Sequence, residues 1–463
     1  MSRVGQRVVH PTLGPGLVTR IVDGGRRWVV NFDAHVRVPY DLPPSAFVDG
    51  PPTGRAVAVV APRSRPAQVK AVSSASLDQW QALEALRMGV VPSHGLEQLT
   101  VGRKAELQAI GRLAASARGL ALFVGGYGSG KSHLIEVADA RARAEGMVVA
   151  RATFDPIEVP PSHPMRLYGE LAAGLEYPDV AGRGLRPLLE KLVASPKHVR
   201  PDGDRAHPWL TPALWSLVHA DADLADDVIA FVEGHPVDIM ELRDRLRRAG
   251  WRGDGPLALP DYRTFGQVMA NLLGGIAAWA ADAGYKGLLV SLNEAEYFDA
   301  LGSTSREMAE NVLRYLAIAS LPTEALGFDP DEVYRGGHAV HRNVPAVFVE
   351  DQPLAVLCAF TPHLGVDAVI QRILEDADAH IHALEEIPPA VLVLLADRVL
   401  DLVRAVHPVV APTKADLKLA WTLVVNGLNN GSITSTRDAA RAVVEFWDLF
   451  RVDPARARAA VRT

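Results

Sequence analysis

The stretch LALFVGGYGSGKSHL, residues 120–134, decides the fold of this chain. Its centre, residues 125–132, fits the phosphate-binding pattern G-x-x-x-x-G-K-[ST]. The apolar run 120–124 before it predicts a strand, and the periodicity of residues 133–141 after it predicts a helix. Strand, glycine loop and helix in this order are the context that the pattern requires, so the sequence predicts a P-loop.

The residue types in this loop suit the binding of a triphosphate. Glycines allow backbone N–H groups to approach phosphate oxygens closely, and the helix that follows points its positive dipole end at the same anion. Lys131 is expected to reach the β- and γ-phosphates and Ser132 to hold Mg²⁺. The predicted nucleotide-binding residues of the loop are Gly125, Gly126, Tyr127, Gly128, Ser129, Gly130, Lys131, Ser132 and His133.

Composition bounds the class of protein. The 463 residues are 48% hydrophobic and 22% charged, in the range of globular proteins with two or three domains. No apolar run has the length of a membrane span, so we expect a soluble cytoplasmic protein. Cys358 is the only cysteine, which excludes an internal disulfide or a Cys-based zinc site and predicts a buried apolar role.

Charge is distributed unevenly along the chain. The net charge is −6, but residues 1–72 hold ten Arg and Lys against four Asp, which gives +6 and leaves −12 for the remainder. A basic N-terminal part on an acidic body indicates a partner for that part.

The sequence of residues 1–50 predicts a small β-domain. Apolar runs at 4–10, 17–22 and 27–32 alternate with Gly, Pro and Asp turns. The pattern G-x-x-V-x-H-P-x-x-G-x-G-x-V at residues 5–18 resembles the SH3-like (Tudor-like) modules of bacterial helicases and transcription-coupling factors, which implies contact with nucleic acid or polymerase. A barrel without a partner is the alternative. The candidate contacts to double-stranded DNA are Arg7, Arg20, Arg26, Arg27 and Arg37.

Residues 51–77 are rich in Pro, Ala, Val and Ser and predict a linker. A helical pattern follows from Leu77, and Val101-Gly102-Arg103 precedes the P-loop by about twenty residues. This tripeptide resembles the segment before the P-loop in AAA+ ATPases of the origin-recognition and STAND type. The resemblance implies that it covers the adenine, with Gly102 close to the base and Arg103 near the phosphates or a neighbouring segment.

Three motifs together resemble one family. ALRMGVVP at residues 85–92, VGR at 101–103 and GGYGSGKSHL at 125–134 are similar to the ATP-binding proteins of the BREX phage-defence systems. The resemblance covers roughly residues 78–450 and excludes the N-terminal module. It implies an α/β fold: an AAA+ P-loop NTPase core at 78–363 with a helical insertion within 156–285, and a helical lid at 364–463 that includes predicted helices at 365–385, 389–406, 413–426 and 436–450.

The remaining motifs of such a core can be placed along the chain. The run 287–292 predicts the Walker B strand, with Asn293 where an Asp is expected and Glu294 as the residue that polarises the attacking water. Asn293 is expected to hold Mg²⁺ through water. The strand 354–360 ends at Thr361, the expected sensor-1 residue, and Ser435 or Thr436 is expected to cap the last lid helix.

Several arginines and histidines have open roles. Arg306, Arg335 and Arg342 are the candidates for an arginine supplied to a neighbouring subunit, and ordinary surface arginine is the alternative for each. Arg437 is either a phosphate contact of the sensor-2 type or a surface residue. The histidine pairs 338/341 and 380/382 lack the pattern of a metal site.

The sequence therefore predicts an ATP-binding AAA+ ATPase that uses Mg²⁺, with Lys131, Glu294 and Thr361 as catalytic residues. The expected protein is a homo-oligomer that acts in phage defence on DNA, or with a helicase or another defence-system protein. The alternative is an ATP-dependent switch or scaffold with little turnover, which Asn293 favours. A third hypothesis is a DNA-docking adaptor with a relict ATP site, against which Lys131 and Ser132 count.

Overall fold

The computed structural model describes residues 7–10, 14–22, 26–32, 40–42, 74–92, 95–293, 301–361, 364–385, 387–408 and 410–461. Contacts divide the chain into two units, residues 1–71 and 72–463. This boundary falls within the predicted linker, of which residues 51–73 lie outside the described residues.

The first unit contains one antiparallel sheet in the order β1-β2-β3-β4. Its strands are β1 (Arg7–His10), β2 (Gly14–Val22), β3 (Arg27–Phe32) and β4 (Tyr40–Leu42). Val8, Val18, Trp28 and Val30 are its buried side chains in the described part. The predicted β-structure is confirmed, with β4 as an additional strand; the rest of the predicted SH3-like barrel lies outside the described residues.

The second unit is built on a five-stranded sheet in the order β6-β7-β8-β5-β9, with every neighbouring pair parallel. Its strands are β5 (Gly119–Val124), β6 (Val148–Thr153), β7 (Leu288–Asn293), β8 (Leu354–Phe360) and β9 (Ile381–Ala383). Parallel neighbours share one carboxyl edge, so the P-loop after β5, Asn293 at the end of β7 and Thr361 after β8 come to the same edge of the sheet.

Helices cover both faces of this sheet, which explains why its strands read as continuous apolar runs. On β8, Leu354, Val356, Cys358 and Phe360 belong to one hydrophobic cluster, and the residues between them belong to another. The buried position predicted for Cys358 is confirmed, and burial raises the pKa of its thiol to about 12.

The helices of the described residues follow in chain order. They are α1 (Ser74–Arg87), α2 (Leu96–Leu99), α3 (Lys104–Ser116), α4 (Lys131–Ala144), α5 (Pro164–Ala173), α6 (Arg186–Leu192), α7 (Pro196–Val199), α8 (Leu210–His219), α9 (Ala222–Val232), α10 (Ile239–Ala249), α11 (Gly266–Asp282), α12 (Ser303–Ser320), α13 (Val340–Asn343), α14 (Leu364–Ile373), α15 (Ala377–His380), α16 (Pro389–Val406), α17 (Lys414–Asn430), α18 (Thr436–Val452) and α19 (Pro454–Ala460). None of the helices found in the described ranges is long and apolar enough to cross a membrane.

Seven helices, α5–α11, separate β6 from β7, as predicted for residues 156–285. They share one large hydrophobic cluster with a face of the sheet, around fully buried side chains such as Tyr168, Trp209 and Trp279. Helices α3 and α4 cover the opposite face. Helices α1, α16, α17, α18 and α19 form a separate cluster around Trp447.

The prediction of one helix over 365–385 is wrong. Helix α14 ends at Ile373, α15 is one turn long, and residues 381–383 pair with β5 as strand β9. Val369, Ile370 and Ile373 pack in the cluster of the sheet rather than in that of α16–α19. Residues 364–383 thus contribute to the core of the α/β unit, because the P-loop strand needs a second neighbour to complete its hydrogen bonds.

Candidate functional site

The P-loop joins β5 to α4 through a backbone that glycine makes possible. Gly128 and Gly130 have φ of 79° and 97°, and Gly130 directly precedes the first turn of α4 at Lys131. Positive φ is unfavourable for residues with a Cβ, so these two positions require glycine. The first N–H groups of α4 have no partner within the helix and face the space above the loop.

Lys131 lies folded over the loop. Its ammonium group donates hydrogen bonds to the carbonyl oxygens of Gly125 at 2.7 Å and Gly126 at 3.1 Å, and its side chain is largely buried. The lysine is therefore held at the place where a phosphate chain bound by the loop would lie.

Ser132 and Asn293 are neighbours, although 161 positions separate them in the sequence. The amide Nδ2 of Asn293 donates to the hydroxyl of Ser132 at 3.3 Å. The other amide atom, Oδ1, is buried and finds no hydrogen-bond partner among the described residues. A buried acceptor normally has a donor, so a metal-bound water donating to Oδ1 fits this position. The hydroxyl and the amide together suit the predicted Mg²⁺ site.

Arg103 connects the segment before the P-loop to the loop itself. Its guanidinium donates to the carbonyl of Ser129 at 2.7 Å and pairs with Glu106 at 3.3 Å. Arg103 and Glu106 are both only 6% exposed. The predicted nearness of Arg103 to a neighbouring segment is therefore observed, and that segment is the P-loop.

His133 is fixed in one tautomer by Thr100. The Thr100 hydroxyl donates to the carbonyl of Leu96 at 2.8 Å, so it must accept from Nε2–H of His133, which lies 2.7 Å away. Burial lowers the pKa of His133 to about 4; the charge of Arg103 acts in the same direction and that of Glu136 opposes it. At neutral pH the imidazole is uncharged and ties the start of α4 to the preceding segment.

The first turn of α18 closes over the P-loop. Ser435 caps this helix by accepting from the backbone N–H of Asp438, which confirms the predicted cap. A Cβ on Gly128 would lie 2.6 Å from the Cβ of Ser435, so the loop and the helix end are in direct contact. Arg437 lies over the ring of Tyr127 and donates to its hydroxyl at 3.3 Å.

These elements line a cavity of about 150 Å³ that opens to solvent. Its polar end is the P-loop with the start of α4, and its apolar end combines α1, the segment after it, α16 and α18. The apolar lining includes Leu86, Val90, Val91, Pro92, Leu99, Val101, Leu134, Ile387, Leu395 and Ala440. A pocket with an apolar end and a phosphate-binding end has the character that a purine nucleotide needs.

An ionic cluster around the buried Asp139 holds α4 on the sheet. Arg151 of β6 donates to Asp139 at 2.6 Å and to Glu136 at 2.8 Å, and Ser291 of β7 donates to Asp139 at 2.5 Å. Burial raises the pKa of the Asp139 carboxyl to about 6, against the effect of Arg151. Because Ser132 lies one turn before Glu136, this cluster fixes the helix that carries the phosphate and metal ligands.

The pocket unites most of the predicted nucleotide-binding residues. Tyr127, Gly128, Ser129, Gly130, Lys131, Ser132 and His133 line it together with Val101, Arg103 and Arg437. Gly102 is not among its lining residues. It has φ of 68°, and a Cβ there would meet Val391 of α16 at 2.9 Å, so the missing Cβ makes room for the packing of α16.

Of the predicted catalytic residues that the structure describes, Lys131 lines the pocket. Thr361 is half-buried directly after β8 but does not line the pocket. Glu294 lies outside the described residues. Arg335 donates to Asp331 at 2.8 Å, Arg306 lies on α12, and the side chain of Arg342 is outside the described part. The arginine supplied to a neighbour therefore stays a prediction.

Two further groups of predicted residues can be located. Arg7, Arg20 and Arg27 lie on the first three strands and Arg26 directly before β3, whereas Arg37 lies outside the described residues. Within the described ranges, no group of three His, Cys, Asp or Glu residues could hold a metal ion. His380 instead pairs with the carbonyl of Leu120, and His382 contacts the ring of Phe123.

The comparison with protein families identifies the segment that carries this site. Residues 76–204 match the model of the BREX system ATP-binding protein BrxC/D. This segment is related to the BREX ATP-binding family. It spans α1, the Val-Gly-Arg segment, the P-loop, β6 and the first insertion helices, so the resemblance predicted from the sequence is confirmed there. Comparisons with curated proteins and with solved structures gave no match.

The apolar end of the pocket was not predicted from the sequence. Leu86, Val90 and Val91 belong to the motif at residues 85–92 that resembles the BREX family. Their place in this motif was the one sequence signal that could have predicted their role in the pocket. Ile387, Leu395 and Ala440 carry no local signal, because α16 and α18 reach the pocket only through tertiary packing.

Proposed function

We propose that this chain is an ATP-binding protein of the AAA+ type that acts in BREX phage defence. The observation that carries the proposal is the contact of Ser132 with Asn293 beside a P-loop whose pocket is closed by α16 and α18. The BREX ATP-binding family match over residues 76–204 includes this loop. The position of β8 between the P-loop strand and β7 also supports the AAA+ type of core.

In this proposal the two ends of the pocket bind different parts of the nucleotide. The apolar side chains of α1, α16 and α18 receive the base. The N–H groups of residues 128–132 and the ammonium group of Lys131 receive the phosphates. Lys131 exchanges its bonds to the Gly125 and Gly126 carbonyls for bonds to phosphate oxygens. Arg437, now on Tyr127, is within the same pocket and supplies a second cation.

Ser132 and Asn293 would hold Mg²⁺, the first through its hydroxyl and the second through water. When bound, the ion supplies charge neutralisation for the phosphates. Asn293 offers an acceptor but no negative charge, so the site holds the metal less strongly than an Asp would. Glu294 is proposed to orient the attacking water from the position after Asn293.

Two functions follow from the same site. In the first, the protein hydrolyses ATP, with Lys131, Glu294 and Thr361 as catalytic residues. In the second, ATP binding orders the contact between α18 and the P-loop and builds an assembly surface, while turnover stays negligible. Asn293 favours the second function, because the missing carboxylate lowers the charge available at the metal.

The wider role is proposed from the family and the charge distribution. The protein would form homo-oligomers and work with other proteins of the defence system, a helicase among the possible partners. The basic first unit would dock on double-stranded DNA through Arg7, Arg20, Arg26, Arg27 and Arg37. An adaptor with a relict ATP site is disfavoured, because the P-loop geometry around Lys131 and Ser132 is intact.

The test is ATP binding and turnover by the purified full chain with Mg²⁺, with and without duplex DNA. Lys131→Ala and Asn293→Asp are measured beside the wild-type protein. We expect Lys131→Ala to lose ATP binding by at least tenfold, because the phosphates lose their principal cation.

The outcomes separate the hypotheses. Turnover in the wild type that disappears in Lys131→Ala supports an ATPase that tolerates Asn293. Tight binding without turnover, together with turnover gained in Asn293→Asp, supports the switch. Failure of the wild type to bind ATP would refute both and leave the adaptor.

A further inference from the structure

A cationic groove runs between α3 and α4, next to the nucleotide pocket. Lys104 and Arg112 of α3 and Arg141 of α4 line it, and none of the described residues that line it is a carboxylate. Among the residues that the structure describes, none of these three side chains takes part in an ion pair. Within the described part of the chain, these three side chains make one hydrogen bond, a long one of 3.4 Å from Arg141 to the carbonyl of Leu107.

This lack of neutralisation distinguishes the groove from its surroundings. Arg143 and Arg151, which both follow Arg141 in the sequence, pair with Glu176 and with Glu136 and Asp139, respectively. The unit as a whole carries a net charge of −12, because residues 1–71 carry +6 of the total −6. Three unpaired cations around one groove without an acidic residue are therefore a local concentration of positive charge.

The geometry arranges these cations in a row. Lys104 and Arg112 are eight residues apart on α3, which is about 12 Å along the axis and places both on one side of the helix. Arg141 crosses from α4 at the level of Gly111, where a Cβ would come within 3.1 Å of its guanidinium. The small residues Gly102, Gly111 and Ala115 keep the floor of the groove open.

We propose that this groove binds the phosphodiester backbone of double-stranded DNA. A row of cations about 12 Å long faces several phosphates, since one strand carries a charge roughly every 3.4 Å. An acidic protein is the less favoured partner, because protein interfaces have apolar and aromatic cores and few lysines. Among the described residues that line the groove, Leu107 is the only large apolar side chain, and none has an aromatic ring for base stacking.

The groove shares a wall with the ATP pocket. Thr100 and Arg103 line both, and Arg103 donates to the Ser129 carbonyl of the P-loop. Phosphate in the groove would attract Arg103 and so act on the loop that receives the nucleotide. This coupling rests on the proposed function. Because coupling between two ligands is reciprocal, DNA would change ATP affinity by the same factor by which ATP changes DNA affinity.

The experiment measures the salt dependence of DNA binding by the full chain. A fluorescein-labelled duplex of about 20 bp is titrated at several salt concentrations between 50 and 200 mM. The groove variant K104A/R112A/R141A is compared with R252A/R404A/K418A, which removes three cations that are exposed on other helices and loops. Thermal melting shows that each variant is folded, and binding of a fluorescent ATP analogue is measured on all three proteins.

Each lost phosphate contact lowers the slope of log K against log salt by about 0.9. We expect the groove variant to lose about 2.7 from the wild-type slope, whereas the matched control loses little. Over a fourfold salt range, the wild-type affinity should therefore fall about 40-fold further than that of the groove variant. In single variants, each of the three substitutions should lower the slope by a similar amount.

Three results would overturn the proposal. The first is a slope of the groove variant equal to that of the matched control, and the second is absence of wild-type binding at 50 mM salt. The third is unchanged DNA binding with loss of self-association in light scattering, which would assign the groove to an acidic surface of another copy. If ATP binding survives in these cases, only the groove proposal fails. If the wild type binds DNA with the expected slope change but no ATP, only the proposed function fails.

Discussion

Acidification from pH 7.5 to 5 should destabilise the second unit through His133. Burial lowers the pKa of His133 in the folded protein to about 4, whereas an unfolded chain has a histidine pKa of about 6.5. Between these values the unfolded state binds a proton that the folded state does not. The contribution to stability is therefore complete above pH 6.5 and is lost progressively as the pH falls towards 4.

The magnitude follows from the two pKa values. At pH 5 the unfolded histidine is almost fully protonated and the folded one almost neutral, which costs about 2 kcal/mol of unfolding free energy relative to pH 7.5. The variant His133→Gln has no proton to gain and still donates a hydrogen bond towards Thr100. It should therefore lose about 2 kcal/mol less than the wild type over the same interval.

The measurement is urea unfolding followed by tryptophan fluorescence at pH 5, 6 and 7.5. Seven of the eight tryptophans lie beyond residue 71, so the signal reports the second unit. His207 has its pKa lowered to about 4 by burial and Asp139 has its pKa raised to about 6, but both are present in the two proteins and cancel in the difference. Parallel pH profiles of wild type and His133→Gln would refute the assignment of a buried neutral imidazole.

Substitutions at Gly128 and Arg103, each with a second substitution for comparison, test the framework of the pocket. Gly128→Ala should destabilise the unit by at least roughly 1–2 kcal/mol, because a Cβ disfavours positive φ and would also meet Ser435 at 2.6 Å. Gly126→Ala, whose Cβ would meet no atom within 4 Å, should melt like the wild type, and equal melting of the two variants would contradict the contact with α18. Arg103→Met should cost about 3–5 kcal/mol in urea unfolding by leaving Glu106 buried without its partner. Adding Glu106→Gln should recover part of this cost, and no recovery would argue against a buried ion pair.

Strands that carry a strong local pattern were predicted closely. The apolar run 354–360 became β8 with the same bounds, and the run 120–124 became β5 with one more residue. Helix α16 also has its predicted bounds, 389–406, because Pro389 can begin a helix and the sequence before His407-Pro408 must end one. In these cases the local preference and the tertiary environment agree.

The predictions that differ depend on contacts between distant segments. Strand β9 has three residues, too few to show a period, and exists because it pairs with β5. The missing Cβ of Gly102 makes room for Val391, a residue 289 positions away in the sequence. Neither sequence spacing nor residue type carries information about such a partner.

The charges near Asn293 explain what an uncharged amide contributes at this position. Strand register places Asn293 beside Thr153 and Ser291 beside Arg151, so the end of β7 lies next to the cluster of Glu136, Asp139 and Arg151. This cluster already has two carboxyl groups for one guanidinium. A third carboxylate at position 293, about two strand residues or roughly 6.6 Å from Ser291, would add repulsion that a bound cation would offset.

The same argument explains why Asn293→Asp separates the two proposed functions. In the wild type the amide bonds Ser132 without introducing charge, so the loop and β7 stay together whether or not a cation is present. In the variant, the added carboxylate strengthens the binding of Mg²⁺. Because it also repels the neighbouring carboxylates, the packing of β7 against α4 then depends on bound Mg²⁺. A gain of turnover at saturating Mg²⁺ would therefore mean that charge at this one position limits hydrolysis, and that the remaining parts of the site are already in place.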